Sequence, residues 1–161
     1  MYDRYADIGK FITDPDKLQI TGRSEVSISS EENYNIVIDL QGHAEEFEQM
    51  RPFIAFIAQN VCRLDNIAQK FDSLHNRSGQ FPYIVAVIFI DGSDVILRYW
   101  GTEENTQFDV VFAHDEGEFT LKSFGTIRQI SPEWEKALST GHRRKEQGQK
   151  KGFLRWKFST R

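Results

Sequence analysis

The chain has 161 residues, of which 39% are hydrophobic and 27% are charged, so it is long and apolar enough to fold as one domain. The single Cys62 excludes an internal disulfide, and the longest apolar run, 83–90, is far shorter than the roughly 20 residues of a membrane helix. No cationic leader precedes an apolar stretch at the start, so we expect a soluble cytoplasmic protein with no membrane partner.

Charge is divided unevenly along the chain. Of the 20 Lys/Arg residues, eight lie in 139–161 beside one acid, Glu146, which leaves 12 basic and 23 acidic residues in 1–138. The body therefore carries a net charge of −11 and the C-terminal segment carries +7. This asymmetry indicates electrostatic recognition of a partner. We predict a single domain, 1–161, with a basic C-terminal segment, 139–161.

The first half of the chain predicts a hairpin followed by one long helix. Residues 1–17 are typical of a short helix or irregular segment that ends in a turn. Apolar and polar residues alternate from 18 to 40, with a turn at 30–33, which predicts a hairpin. The period then becomes 3.6 and predicts an amphipathic helix over 44–73 with polar residues on its other face. Pro52 either kinks this helix or lies in the first turn of a second one.

The second half predicts a meander of strands. Residues 82–90 are apolar on both faces and predict a central, covered strand, whereas 95–101, 107–114 and 118–124 alternate. Ser131-Pro132-Glu133 is typical of the start of a helix, which ends by Gly141, and 153–158 alternate in a way that suits an edge strand. The predicted class is α+β, a mostly antiparallel sheet with one long amphipathic helix packed on one face.

The alternation assigns the meander residues to two faces. One face should meet the helix, and with the helix stripe it predicts a buried core of Phe47, Ile54, Ile57, Val61, Leu64, Val85, Val87, Leu97, Val110, Phe112 and Leu121. The other face mixes apolar, aromatic and charged residues: Ile96, Arg98, Trp100, Asp109, Val111, Thr120, Lys122 and Phe124. It is either a half-solvated face covered by the N-terminal segment or the basic tail, or a partner-binding face.

No residue pattern predicts catalysis. The four histidines do not have metal-ligand spacing, and one cysteine cannot build a zinc site. The paired carboxylates fall in predicted turns, where hydrated acids are common: Asp91/Asp94, Glu103/Glu104 and Asp115/Glu116. We therefore expect a protein that is not an enzyme and has no metal or cofactor.

Residues 83–125 carry a resemblance to a protein family. The residues concerned are 95–102, Asn105, 108–112 and 119–125, which give a layout of Tyr-x-Gly, Asn, Phe-Asp and Leu-x-Ser-x-Gly. This layout, over about a quarter of the chain, resembles small bacterial α+β immunity proteins of polymorphic-toxin and contact-dependent growth inhibition systems. The resemblance implies a cytoplasmic, non-catalytic protein that binds and neutralises one cognate toxin domain.

A toxin inhibitor of this kind agrees with the charge distribution, because an acidic body would steer towards a basic partner such as a nuclease domain. We expect Arg98 and Trp100 to act as anchors, because Trp and Arg dominate binding energy at interfaces. The full set of predicted partner-binding residues is Arg98, Trp100, Asp91, Asp94, Glu103, Glu104, Asp109 and Lys122. The acids of 1–70, including Glu45 and Glu46, are an alternative contact patch.

A second hypothesis assigns the function to the basic tail. Its cations are interleaved with Phe153, Trp156 and Phe158, which suits single-stranded nucleic acid and predicts a regulatory nucleic-acid-binding module. The acidic body would repel phosphate, so nucleic acid is the less favoured partner. We expect instead that 142–161 dock on the acidic surface of the protein itself.

Overall fold

The computed structural model describes residues 4–8, 14–29, 35–75, 80–101 and 105–129. The described strands and helix are β1 Glu25–Ser29, β2 Asn35–Asp39, α1 Phe47–His75, β3 Tyr83–Asp91, β4 Asp94–Gly101, β5 Thr106–Asp115, β6 Glu118–Phe124 and β7 Arg128–Gln129. Short 3-10 helices cover Pro15–Lys17 and Ala44–Glu46. The predicted helix after Ser131 and the predicted edge strand at 153–158 lie outside the described residues.

The strands form one sheet in the order β1-β2-β3-β4-β5-β6, and β7 pairs with β5 beyond the end of β6. Each consecutive pair is antiparallel except β2 and β3, which run parallel because the chain crosses between them through α1. The hairpin β1–β2 and the meander β3–β6 thus share a sheet through one parallel pairing. The α+β class with one long helix and a mostly antiparallel sheet is confirmed.

The long helix begins after Ala44–Glu46 and runs without interruption from Phe47 to His75. Acidic residues around its start interact favourably with the positive end of the helix dipole and stabilise the helix. Pro52 lies in its second turn, so one helix contains the proline, and only the backbone acceptor of Glu48 loses its N–H donor. Within the described ranges, no helix combines the length and apolar character needed to cross a bilayer.

The core lies between α1 and one face of the sheet. The apolar stripe of the helix packs against alternate residues of β1–β6, and Tyr5 and Ile8 join the same cluster from the N-terminal segment. Every residue of the predicted core is buried except Leu121, which is half-buried near the edge strand β6, but Val87 is buried on the opposite face of the sheet and its predicted place in this core is wrong. Removal of these apolar side chains from water provides the main favourable free energy of folding.

Two β-bulges change which face a residue lies on. The register of β3 shifts between Val85 and Val87, so Val85 lies on the helix side and Val87 on the opposite side, although only one residue separates them. The register of β5 and β6 shifts between Val111 and Phe112, where Lys122 is the extra residue. Phe124 therefore stacks on Phe71 and Phe108 in the core, and its predicted place on the mixed face is wrong.

Candidate partner-binding face

The face of the sheet away from α1, called the outer face below, carries most of the predicted site. Pairing registers align Val37, Val87, Arg98 and Asp109 in one row across β2–β5, called the central row. The next row contains Asp39, Phe89, Ile96, Val111 and Ser123. The outer face therefore mixes apolar side chains with charged ones, including charged residues in its central row, which is a composition found at protein interfaces.

Arg98 and Asp109 form a charge pair at the centre of this face. The Arg98 Nε and Nη2 atoms donate to Oδ1 and Oδ2 of Asp109, both at 2.7 Å, which is the bidentate geometry of a strong ion pair. The guanidinium carbon also lies 4.7 Å from the centre of the Phe89 ring. The Arg98 side chain thus already has partners within the sheet, Asp109 and Phe89, and its role as an anchor for a binding partner stays a prediction.

Negative charge gathers at the end of the outer face near the β3–β4 turn. Glu25 lies directly opposite Asp39, and Asp91 lies opposite Asp94, so two carboxylate pairs face each other across neighbouring strands. Lys122 Nζ donates to Asp94 Oδ2 at 2.5 Å. Partial burial and then the charge of Asp39 raise the pKa of Glu25 above its ordinary value. The charge of Arg23 acts in the opposite direction and partly offsets this rise in pKa.

Six of the eight predicted partner-binding residues are brought together on the outer face: Asp91, Asp94, Arg98, Trp100, Asp109 and Lys122. Glu103 and Glu104 lie outside the described residues. Trp100 is half-buried, pairs with Ile84 and Gln107, and lies at the end of the face opposite the acidic pairs. The face therefore has an aromatic end and an acidic end, with the Arg98–Asp109 pair between them.

A second polar cluster, which the sequence did not predict, lies inside the core. The carboxylate of Asp65 is 1% exposed and accepts hydrogen bonds from three side chains. Arg4 Nη2 and Tyr99 Oη donate to Oδ1, both at 2.8 Å, and Gln69 Nε2 donates to Oδ2 at 2.9 Å. Arg4 also donates to the carbonyl of Tyr83. This network ties the N-terminal segment to α1 and the sheet, which is a structural role.

The Asp65 network predicts a specific loss of stability in alkali. Burial, and then the Asp65 carboxylate, raise the pKa of Tyr99 well above its ordinary value of about 10. Because the folded pKa is raised, this contribution to stability is complete below about pH 10 and falls at higher pH by up to about 1.4 kcal/mol per pH unit. Urea unfolding from pH 8 to 11 should therefore show a shallower alkaline decline for Tyr99→Phe than for the wild type. Equal slopes would contradict this.

One group of exposed residues has the donor atoms of a cation site. His43, Glu45 and Glu46 precede α1, and their ligand atoms lie within 4.8 Å of one another. All three side chains are exposed, and the His43 Nδ1 atom lies 3.6 Å from a carboxylate oxygen of each glutamate. Solvated acids at the start of a helix are common because they interact favourably with the positive end of the helix dipole, so this arrangement has an ordinary structural cause.

Searches of family models, of curated proteins and of solved structures find no match to this chain. The function proposed for this protein therefore rests on the geometry of the outer face and on the charge distribution along the sequence.

Proposed function

We propose that this protein is a non-catalytic, cytoplasmic inhibitor that binds a basic protein domain, and that the bound domain is the cognate toxin of a bacterial immunity pair. The observation that carries the proposal is the outer face, where Trp100 and the facing carboxylates Asp91 and Asp94 share one surface with the central row. The resemblance of residues 83–125 to immunity proteins supports the toxin as the partner.

Electrostatics supports a basic partner. The residues 1–138 carry a net charge of −11, and the acidic end of the outer face places two facing carboxylate pairs beside apolar surface. Attraction between opposite charges over a Debye length of about 8–10 Å speeds the encounter, and apolar contact then slows dissociation. An inhibitor must occupy its target quickly and leave it slowly, and the charge and the apolar area of this surface together favour both properties.

The proposed function is tested by expressing the product of the neighbouring gene in cells with and without this protein. Toxicity that the protein suppresses, together with co-purification of the two products as a one-to-one complex, is the expected result. A neighbour that is harmless, or a toxin that still kills in the presence of this protein, would show that the immunity proposal is wrong.

Substitutions on the outer face should separate the two binding contributions. As the aromatic anchor at one end of the outer face, Trp100 is expected to contribute strongly, so Trp100→Ala should weaken binding by about 2 kcal/mol or more, roughly 30-fold, chiefly through a faster off-rate. The charge reversal Asp91→Lys should mainly lower the on-rate, and that loss should fade as salt is raised. The double reversal of Glu103 and Glu104 should act like Asp91→Lys. Stopped-flow or surface-plasmon-resonance kinetics measure both rates.

Two variants on the helix side serve as controls for this experiment. Leu74→Ala removes an exposed side chain of α1, and Glu45→Lys reverses an exposed acid just before the same helix. Neither should change the affinity. If Glu45→Lys lowers the on-rate while Asp91→Lys does not, the partner binds at the start of α1 and the outer face is not the site.

A further inference from the structure

The sheet has two edges, and the described chain covers one of them. At the β1 edge, Ile20 forms an antiparallel bridge with Val26. The other edge is β6, which pairs with β5 on one side. Among the residues that the structure describes, no strand pairs with the other side of β6. An edge of this kind presents a row of backbone N–H and C=O groups that a further strand can bind.

The turn between β5 and β6 determines which backbone groups point to the open edge. Residues 115–118 form a two-residue turn, and the positive φ of its central residues fits the type I′ geometry. The residues that close such a turn exchange both backbone hydrogen bonds, and the next facing pair exchanges none. That next pair is His114 and Phe119, and the His114 N–H donates to the Ser93 carbonyl, on the side of β4, at 2.9 Å. The backbone N–H and C=O of Phe119 therefore point to the open edge, and alternation along the strand gives Leu121 the same orientation.

We propose that β6 pairs antiparallel with β6 of a second copy of this chain, and that a two-fold axis at Thr120 relates the two copies. Phe119 then lies opposite Leu121 of the second copy, so the outward N–H and C=O groups of these residues bond to each other. The axis repeats this pair on its other side. Thr120, whose side chain is exposed, faces Thr120 of the second copy, and a Thr–Thr pair across two strands is favourable.

The charges of β6 complement each other in this register. Glu118 lies opposite Lys122 of the second copy, and the axis repeats the pair, so opposite charges meet at both ends of the contact. The Glu118 side chain is 73% exposed and the Lys122 side chain 57% exposed, although Glu118 already pairs with Arg63 and Lys122 with Asp94. A carboxylate accepts several hydrogen bonds and an ammonium group donates three, so the new pairs add to the existing ones. A lysine on an edge strand discourages pairing with other strands, whereas this chain supplies an acid at the matching position.

The apolar residues of β6 also fit this pairing. Phe119 and Leu121 lie on the helix side of the sheet, where Phe119 is buried and Leu121 is half-buried. In the dimer each Leu121 would contact Phe119 of the other chain and lose exposed apolar surface. The bulge at Lys122 reverses the inside-outside order and ends the regular pairing there. Because the axis is perpendicular to the sheet, the outer faces of the two copies lie on the same side of the joined sheet.

The test measures the oligomeric state of the full chain by sedimentation equilibrium from about 1 μM to about 1 mM, a range that covers small interfaces. The expected result is an equilibrium between monomer and dimer. Glu118→Lys and Lys122→Glu should each raise the dimer Kd by about tenfold or more, because each places like charges opposite each other at both ends of the contact. An equimolar mixture of the two variants should dimerise again, because the mixed pair restores opposite charges at both ends.

Glu48→Lys is the matched control for these charge reversals. Glu48 is 73% exposed and pairs with Arg51 on α1, as Glu118 is 73% exposed and pairs with Arg63. This variant should leave the dimer Kd unchanged. An equal effect of Glu48→Lys would mean that net charge, and not the β6 pairing, governs association. A wild-type chain that stays monomeric over the whole range, or a mixture of the two β6 variants that does not dimerise, would also overturn the proposal.

A disulfide cross-link tests the register itself. In a Cys62→Ala background, Thr120→Cys places one thiol on each side of the axis, in a pair without mutual backbone hydrogen bonds, whose Cα separation of about 4.5 Å suits a disulfide. Ser27→Cys places a thiol on an exposed position of β1, at the opposite edge of the sheet. Under mild oxidation Thr120→Cys should form a covalent dimer and Ser27→Cys should not. Equal cross-linking of the two variants, or none from Thr120→Cys, would show that the register is wrong.

The dimer does not rest on the proposed function. Two copies joined through β6 would still bind one partner each, so the stoichiometry remains one to one. Failure of toxin protection with an intact dimer would contradict only the toxin proposal. Protection by a chain that stays monomeric would contradict only the β6 pairing.

Discussion

Asp65→Asn is expected to destabilise the protein by about 3–5 kcal/mol, because it leaves the Arg4 guanidinium buried without its anionic partner. The carboxylate also accepts hydrogen bonds from Tyr99 and Gln69. An asparagine amide accepts only through its oxygen, because its NH2 group is a donor, so it cannot replace the carboxylate for Arg4, Tyr99 and Gln69 together. The midpoint of urea unfolding, followed by circular dichroism, measures this loss.

The exposed Arg63–Glu118 pair provides a control of the same chemical kind. Its Nη2–Oε2 distance is 2.9 Å, close to the 2.8 Å between Arg4 and Asp65, but both side chains are largely solvated. Glu118→Gln should therefore change stability by less than about 1 kcal/mol. Similar effects of the two carboxylate-to-amide changes would mean that burial of the Asp65 network does not govern its contribution.

Leu64→Ala is expected to cost about 2–5 kcal/mol, because the Leu64 side chain is fully buried between α1 and the sheet and its removal leaves a cavity. The size of the loss depends on how far the neighbouring side chains can close the space. Equilibrium urea unfolding again provides the measurement, with the denaturant slope compared to confirm that the unfolded state is unchanged.

Leu74→Ala makes the same chemical change ten residues further along the same helix. Leu74 is 66% exposed, so its truncation removes little buried surface and should change stability by less than about 0.5 kcal/mol. A large loss from Leu74→Ala, or a negligible loss from Leu64→Ala, would contradict the assignment of the core face of α1.

The sequence predicts the elements of this fold well because the hydrophobic pattern changes period clearly. Alternation over 18–40 and again over 95–124 marks the strands, and the three- and four-residue spacing between them marks α1. The apolar run at 82–90 predicts a covered strand, and β3 lies in the interior of the sheet with both neighbours paired. The parallel pairing of β2 and β3 depends on a crossover between distant segments, which local periodicity does not specify.

The polar residues of α1 show where the pattern fails. Asp65 is placed by its residue type on the solvated face of the helix, yet it is buried together with Gln69 and Asp72. Its burial depends on Arg4 and Tyr99, which come from segments far away in the sequence. Burial of a polar side chain requires hydrogen-bond partners, and here they come from other segments, so the hydrophobic periodicity of the helix alone does not predict it.

The sequence predicts which residues share the candidate site, but it does not predict how they pair with one another. Alternation correctly places Arg98, Trp100 and Asp109 on the face away from α1. It does not show that Arg98 and Asp109 pair with each other, because that depends on the register between β4 and β5. It also misses Glu25 and Asp39, whose strands reach this face only through the parallel pairing with β3.

The two β-bulges have a consequence for any alignment of this chain with a relative. Ala86 and Lys122 each add one residue to a strand, and the inside-outside order reverses after each of them. A relative with an unbulged strand would therefore need a one-residue gap at these positions. Without that gap, the comparison would match core side chains such as Phe124 with solvent-facing ones, and the two sequences would look less alike than their folds.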